Sequence, residues 1–226
     1  MKRFYQSASA GADGRILLDG RPVKTPGRRD LAAPTDALAE AIADEWEAQH
    51  DLIDPRAMPL TGLANAAIDR VAPDAAAFAR GLAAYGESDL LCYRADGPAP
   101  LAARQTERWD PILAWAQQRY DVVFELALGV IHMPQPPETL ARLGAAVAAR
   151  GPFELAGLSP LVTISGSLVL ALALAEGAVS LDQAWAAATL DEQWQAEQWG
   201  EDAEAAAALA DRRRDFAAAA RFLALL

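Results

Sequence analysis

The sequence predicts a mostly helical α+β protein. The first thirty or so residues are divided by glycine-containing turns into short runs that are typical of strands, whereas apolar residues recur at helical spacing from Thr35 onward. A chain of 226 residues is long enough for one large domain or two small ones, with a substantial buried core. We therefore expect a small antiparallel β-sheet near the N-terminus, followed by helices.

The predicted strands are three short runs, at residues 4–9, 15–18 and 21–25. They are separated by glycine-containing turns at residues 11–14 and at Asp19-Gly20. An Asp-Gly dipeptide supplies two residues that accept positive φ, which a tight hairpin requires.

The first predicted helix begins after Thr35, a residue type that caps helix N-termini well. A second apolar face runs from Leu60 to Val71 and ends at Pro73. Further helices are predicted at three later stretches, residues 74–85, 98–120 and 137–150. Because proline lacks an amide donor, Pro111 predicts a kink or a restart within the second of these.

Residues 155–175 carry no charge and are about long enough to cross a bilayer. The interior Pro160 and the acidic flanks Glu154 and Glu176 argue against a membrane span, since basic anchors would be expected there. We therefore expect one central helix, buried in the protein core, and no membrane insertion.

The last third of the chain contains a helix with both ends marked. Ser180 and Gln183 form a capping-box pattern and Gly200 is a natural C-terminal residue, so the helix is predicted to span residues 181–199. Its residues 181, 185, 188, 192, 195 and 199 share one face, on which Glu192 and Gln195 interrupt an apolar stripe.

Two interpretations of this face are open. In the first, Glu192 and Gln195 are satisfied inside the fold by an arginine and backbone groups, because buried carboxylates need partners. In the second, the stripe reaches the surface. At the surface it would offer a carboxylate, an amide and tryptophans to a partner.

The composition argues against nucleic-acid binding and against an internal disulfide. A net charge of −11 opposes binding to phosphate backbones, so we expect no nucleic-acid partner. The single cysteine, Cys92, cannot form an internal disulfide and is expected to be a buried apolar residue in a reducing compartment.

Catalytic and cofactor-binding patterns are weak. His50 and His132 lack metal or triad spacing, and Ser165-Gly-Ser167 lacks the nucleophile-elbow pattern within what looks like an apolar helix. Residues 11–14 have no following helix that could bind phosphate. We therefore expect no cofactor and no enzymatic activity, and a role in binding another protein.

Several strings in order resemble the Atp12 family, the assembly chaperones that act on the alpha subunit of F-type ATP synthase. These strings are RFYQSAS, LDGRPVKTP, LAEAIADEWEAQ, DPRAMPLTGLANAAID, DLLCYRADGP, QTERWDPILAWA, TISGSLVLALA and LDEQWQAEQWGEDAEAA. The resemblance covers the chain from end to end.

The resemblance implies an α+β domain at residues 1–72 and a larger all-helical orthogonal bundle at residues 73–226. It also implies a monomeric, ATP-independent chaperone that binds the unassembled alpha subunit and shields the surface meant for the beta subunit. The chain lacks the basic leader of mitochondrial members, and its tail after Gly200 is richer in alanine than theirs. We therefore expect a bacterial, cytoplasmic protein.

The family motif Glu-x-x-Gln-x-x-x-Trp-Gly matches residues near the end of the marked helix. With the nearby acidic residue and a tryptophan in the first helix, the expected partner-binding residues are Glu192, Gln195, Trp199, Gly200, Asp202 and Trp46.

Core packing could also account for Trp46. The main alternative function is a helical enzyme with an acidic pocket formed by Glu192 and a second carboxylate, Glu197 or Asp202. A third is a structural subunit that stays in the finished complex.

Overall fold

A computed structural model describes residues 1–129, 131–200 and 202–226. The chain forms two compact units, which are considered one at a time. The first unit comprises Met1–Ala75, Gly151–Gly157 and Ala218–Leu226, and the second comprises Ala76–Arg150 and Leu158–Ala217. The α+β fold class is confirmed, and the domain boundary between residues 72 and 73 stays a prediction.

The first unit contains an antiparallel sheet of three short strands in the order β1-β2-β3. The strands are β1 (Ala8–Ala10), β2 (Ile16–Leu18) and β3 (Arg21–Pro22). As predicted, the hairpin between β2 and β3 turns at Asp19 and Gly20, which have φ values of 48° and 76°.

The first strand is shorter than predicted because the backbone before it bonds to the hairpin turn. The N–H groups of Gln6 and Ser7 donate to the Asp19 carboxylate at 3.0 and 2.9 Å. These hydrogen bonds from Ser7 and Gln6 also hold the pKa of Asp19 below its usual value.

Helix α1 (Asp36–Glu47) begins where the sequence predicts. The Thr35 hydroxyl accepts a hydrogen bond from the Leu38 N–H at 3.2 Å, which caps the helix. Its buried residues, among them Leu38 and Ile42, face a core cluster that Phe222 also joins.

Helix α2 (Pro59–Ala66) is capped from a distance, because Met58 before it offers no side-chain hydrogen bond. The Glu45 carboxylate instead accepts from the N–H groups of Leu60 and Thr61, both at 2.8 Å. Burial raises the pKa of Glu45, although these hydrogen bonds oppose the rise.

The second unit is mostly helical. The remaining helices are α3 (Ala75–Ala83), α4 (Ala99–Tyr120), α5 (Pro137–Ala148), α6 (Pro152–Ser165), α7 (Leu168–Ala175), α8 (Leu181–Ala188), α9 (Leu190–Trp199) and α10 (Ala203–Ala224). Two two-residue strands that the sequence did not predict, β4 (Tyr93–Arg94) and β5 (Ala127–Leu128), pair in parallel.

A kink or a restart was predicted at Pro111; helix α4 continues through this residue, so the restart does not occur. Pro111 lies on the exposed side, while Trp109, Ile112 and Leu113 are buried. The Trp109 indole N–H donates to the carbonyl of Ala187 at 2.9 Å. Packing of this apolar face outweighs the loss of one helical hydrogen bond.

The prediction of one central helix at residues 155–175 is wrong, because the segment divides into α6 and α7. Gly166 has a φ of 69°, and Ser167 caps α7 by accepting from the Leu170 N–H at 2.9 Å. The Ser167 hydroxyl donates in turn to the fully buried carboxylate of Asp89 at 2.6 Å.

The expected burial of this segment is confirmed, since residues 168–173 are all buried. No helix in the described ranges combines the length and the apolar character that crossing a membrane requires. Cys92 is also buried, as predicted, and that burial, together with the charge of Asp89, raises the pKa of its thiol to about 12.

Candidate functional site

The helix predicted at residues 181–199 is in fact two helices, α8 and α9. Thr189 lies between them with φ −112° and ψ 17°. Its hydroxyl donates to the Trp185 carbonyl at 2.8 Å, and its backbone angles lie outside the α-helical region. The predicted single face is therefore divided at residue 189.

Both predicted ends of the segment are confirmed. Ser180 and Gln183 form the reciprocal capping box at the start of α8. Gly200 follows α9 with a φ of 91°, a conformation that non-glycine residues rarely adopt.

The division at residue 189 separates buried from exposed residues. Trp185 is buried on α8 and packs against Phe216, with ring centres 5.6 Å apart. Glu192, Gln195 and Trp199 are exposed on α9, and Trp199 is 79% exposed. An exposed indole ring offers a partner a large apolar surface together with an N–H donor.

A groove of about 480 Å³ lies between α9 and α10, within the second unit. We call it the α9–α10 groove. Its lining residues are Glu192, Gln195, Ala196, Trp199, Gly200, Asp202, Ala205, Ala206, Ala208, Leu209 and Arg212. Five of the six residues that the sequence predicted for partner binding therefore lie together.

Glu192 forms an ion pair across the groove. Two guanidinium nitrogens of Arg212 donate to its carboxylate oxygens at 2.7 and 3.1 Å. The side chains of Glu192 and Arg212 are 46% and 40% exposed, respectively. Glu192 therefore has the arginine partner that one interpretation required, but at the surface and not in the core. Such exposed pairs contribute about 0–1 kcal/mol to stability.

Asp202 has a structural role at the start of α10. Its carboxylate accepts a hydrogen bond from the Glu204 N–H at 3.0 Å, and its carbonyl accepts from the Ala206 N–H at 2.8 Å. The side chain is exposed at the rim of the groove, so this capping leaves its negative charge available to a partner.

Glu197 does not line the groove. Its carboxylate accepts from Arg104 of α4 at 2.7 and 2.9 Å, and the Arg104 guanidinium carbon lies 4.8 Å from the centre of the Trp194 ring. The acidic enzyme pocket that would combine Glu192 with Glu197 is therefore not formed.

Trp46 lies in the first unit and does not line the groove. Its ring packs edge-on against Tyr5 with centres 5.8 Å apart, and the Tyr5 hydroxyl donates to its carbonyl at 2.6 Å. Trp46 is half-buried and contacts two core clusters of this unit, so packing accounts for its position.

The described residues contain no cluster of histidine, cysteine or carboxylate side chains that could hold a metal ion. His132 instead lies 2.8 Å from the Tyr93 hydroxyl and 3.3 Å from Glu87. The α9–α10 groove thus offers an apolar floor of alanines and Leu209, two carboxylates, an amide and an exposed indole ring, which are groups suited to binding a protein surface.

Arg212 and the alanines that line the groove were not predicted from the sequence. The signal that could have indicated them is the alanine-rich stretch that ends in three consecutive arginines, residues 212–214. A segment with several exposed large apolar side chains was also not predicted; these are Val123, Leu126, Leu128, Ile131 and Met133.

The chain is similar to known proteins in sequence and in fold. A family model described as ATP12 chaperone protein matches residues 2–117. The crystal structure of Atp12 from Paracoccus denitrificans is 45% identical, with a TM-score of 0.94, over 99% of this chain and 97% of that one. The Atu1473 protein from Agrobacterium tumefaciens is 44% identical, with a TM-score of 0.93, over 98% of this chain and 85% of that one.

Proposed function

The chain belongs to the ATP12 chaperone family, and we propose that it is an ATP-independent assembly chaperone for F-type ATP synthase. In this proposal it binds the unassembled alpha subunit and shields the surface that later contacts the beta subunit. It acts as a monomer in the bacterial cytoplasm and needs no cofactor, nucleic acid or membrane.

The physical need for such a protein is simple. An unassembled subunit exposes apolar surface that is meant for its neighbour, and it aggregates through that surface. A chaperone that covers the surface must later release it, so its own interface has to be weaker than the native one.

The observation that carries the proposal is the α9–α10 groove. The family motif residues Glu192, Gln195, Trp199 and Gly200 line one exposed apolar groove, although a helix break separates them from the buried part of the predicted face. An apolar centre with a polar rim is the usual anatomy of a protein-binding surface.

The enzyme alternative has less support. The Glu192 carboxylate forms an ion pair with Arg212, and Glu197 forms an ion pair with Arg104 outside the groove. Asp202 remains in the groove, but an acidic pocket needs a second carboxylate that is free of an ion pair, and Glu192 is not.

The test is co-purification of the tagged chain with the alpha subunit, in the presence and absence of the beta subunit. We expect a complex with alpha that dissociates when beta is added. We also expect less light scattering from alpha alone when the chaperone is present. Failure of the wild-type chain to retain alpha would contradict the proposal.

The chain offers a matched pair of charge reversals for the same experiment. Glu192 and Glu197 both lie on α9, each bonds an arginine at 2.7 Å, and their side chains are 46% and 49% exposed. Glu192→Lys should weaken retention of alpha, whereas Glu197→Lys should leave it unchanged. Equal losses in both variants would show that the groove is not the contact.

A further inference from the structure

The two faces of α9 carry similar groups, and the face outside the groove shows how they bind a cation. There Arg104 donates to both oxygens of Glu197, and its guanidinium lies 4.8 Å from the centre of the Trp194 ring. A carboxylate and an indole face together hold an arginine well, through charge-assisted hydrogen bonds and cation–π attraction.

The groove face has the same kinds of groups without a cation over the ring. Trp199, Glu192 and Asp202 line the same groove. In the described part of the chain, cations lie over Tyr5, Trp109, Trp194 and Tyr120 but not over Trp199. Arg212 is engaged with Glu192, so the described residues of the lining carry one negative charge in excess.

The position at the end of α9 favours a cation further. The C-terminus of a helix carries a partial negative charge, and the last turn of α9 contains no basic residue. The acidic residues Asp202 and Glu204 offset the opposite partial charge at the start of α10.

The floor of the groove suits the stem of a long cationic side chain. Ala196, Ala206 and Leu209 offer apolar surface against which methylene groups pack while the charged head stays at the polar rim. A planar guanidinium stacks on an indole ring and bonds carboxylates in a fork, which the ammonium of lysine cannot do.

We propose that the α9–α10 groove receives an arginine side chain of the client, stacked on Trp199 and paired with Asp202 at the rim, next to the Glu192–Arg212 pair. This inference rests on the proposed function and names the chemistry of the client contact at the same groove. A strongly acidic chain, with a net charge of −11, is complementary to such a basic contact.

The first test uses the free chain and a small probe. N-acetyl-arginine amide is titrated against the ¹⁵N-labelled protein, with N-acetyl-citrulline amide as the uncharged analogue of the same shape. We expect the arginine amide to shift the indole N–H signal of Trp199, which Trp199→Leu identifies, and the citrulline amide to leave it in place. Equal shifts with both amides would show that the groove takes any side chain of this shape, and would overturn the proposal.

The second test measures the affinity for the alpha subunit at low and high salt. Trp199→Leu and Asp202→Asn should each weaken binding about five- to tenfold, and Asp202→Asn should also reduce the salt dependence. Asparagine caps helices as well as aspartate does, so this variant removes the charge and keeps α10 intact. The control Glu197→Gln should bind like the wild type.

The outcomes separate the two proposals. If the wild-type chain binds alpha and both groove variants bind it equally well, the arginine site is wrong and the proposed function stands. If the wild-type chain retains no alpha subunit while the arginine amide still shifts Trp199, the choice of client is wrong and the groove remains a site for arginine.

Discussion

Asp89 is expected to make the stability of the protein fall as the pH rises from weakly acidic to neutral values. Its side chain is fully buried, and its oxygens accept hydrogen bonds from Ser167 Oγ at 2.6 Å, Val169 N at 2.9 Å and Leu91 N at 3.1 Å. Burial nevertheless dominates, and it raises the pKa of this carboxyl from 3.8 to about 6.

The direction of the effect follows from linkage. Because the folded pKa lies above the unfolded one, the folded protein binds the proton more tightly. The stabilisation is complete below the unfolded pKa and is lost as the pH rises through the folded pKa. The difference between the folded and the unfolded pKa corresponds to about 3 kcal/mol of stabilisation. About 2 kcal/mol of this stabilisation is lost between about pH 4.5 and pH 7.

The experiment compares wild type with Asp89→Asn, whose amide does not titrate. The asparagine also places an NH₂ group near backbone donors and thus changes stability at every pH, so only the pH dependence of the difference is informative. Urea unfolding followed by tryptophan fluorescence at several pH values measures it. The free energy of unfolding of wild type, relative to the variant, should fall by about 2 kcal/mol over this range.

Asp19→Asn serves as a control, because the contribution of Asp19 to stability changes with pH in the opposite direction. Backbone hydrogen bonds from Ser7 and Gln6 lower the pKa of Asp19, so its contribution is present above the unfolded pKa and is lost as the pH falls through the folded one. A difference between wild type and Asp89→Asn that stays constant across the range would refute the reasoning about Asp89.

Three further changes test the fold and the site, each by chemical denaturation. Gly14→Ala should lower the free energy of unfolding by several kcal/mol more than Gly20→Ala, for which a loss of roughly 1 kcal/mol is expected. Both residues have positive φ, but only at Gly14 would the new methyl group overlap a backbone carbonyl. Equal losses in the two variants would contradict this. Trp109→Phe should lower the free energy of unfolding by about 1–3 kcal/mol, since it leaves a buried carbonyl without its indole donor, and a neutral result would show that water or a neighbour replaces the bond. Glu192→Lys should change the free energy of unfolding by no more than about 1 kcal/mol, because the pair with Arg212 is exposed. A large loss of stability would make Glu192 a structural residue.

Local signals in the sequence predict the element boundaries well. The caps at Thr35 and Ser180, the Asp19-Gly20 turn and the helix end at Gly200 all depend on residues that are adjacent or a few positions apart. Such features can be read without knowing the tertiary structure.

The two helix breaks were missed for different reasons. The first carried local signals, since Gly166 has a φ of 69° and Ser167 caps the next helix. The bond from Ser167 to Asp89, 78 positions earlier in the chain, adds a tertiary contact that the sequence does not reveal. The second break lies at Thr189, where the helical spacing of residues 181–199 continues past the break. Hydrophobic periodicity reports which residues share a face, but it does not report where a helix ends.

The candidate site was predicted in part for a related reason. A helical face and a family motif both indicated Glu192, Gln195 and Trp199, and these residues do lie together. Arg212, Leu209 and three of the four lining alanines belong to another helix, and their proximity depends on how the chain returns after Gly200, which periodicity does not encode.

The scarcity of buried side chains in α9 has a kinetic consequence. Leu190 is its only buried residue within the described chain, so the helix end that carries Trp199 is held by few apolar contacts. Segments of this kind open locally at a small fraction of the free energy of global unfolding, and their amide hydrogens exchange quickly with solvent. In the proposed function, a partner bound at the groove would leave by fraying of the last turns of α9, faster than the domain unfolds. Release of the cargo would then need no external source of energy.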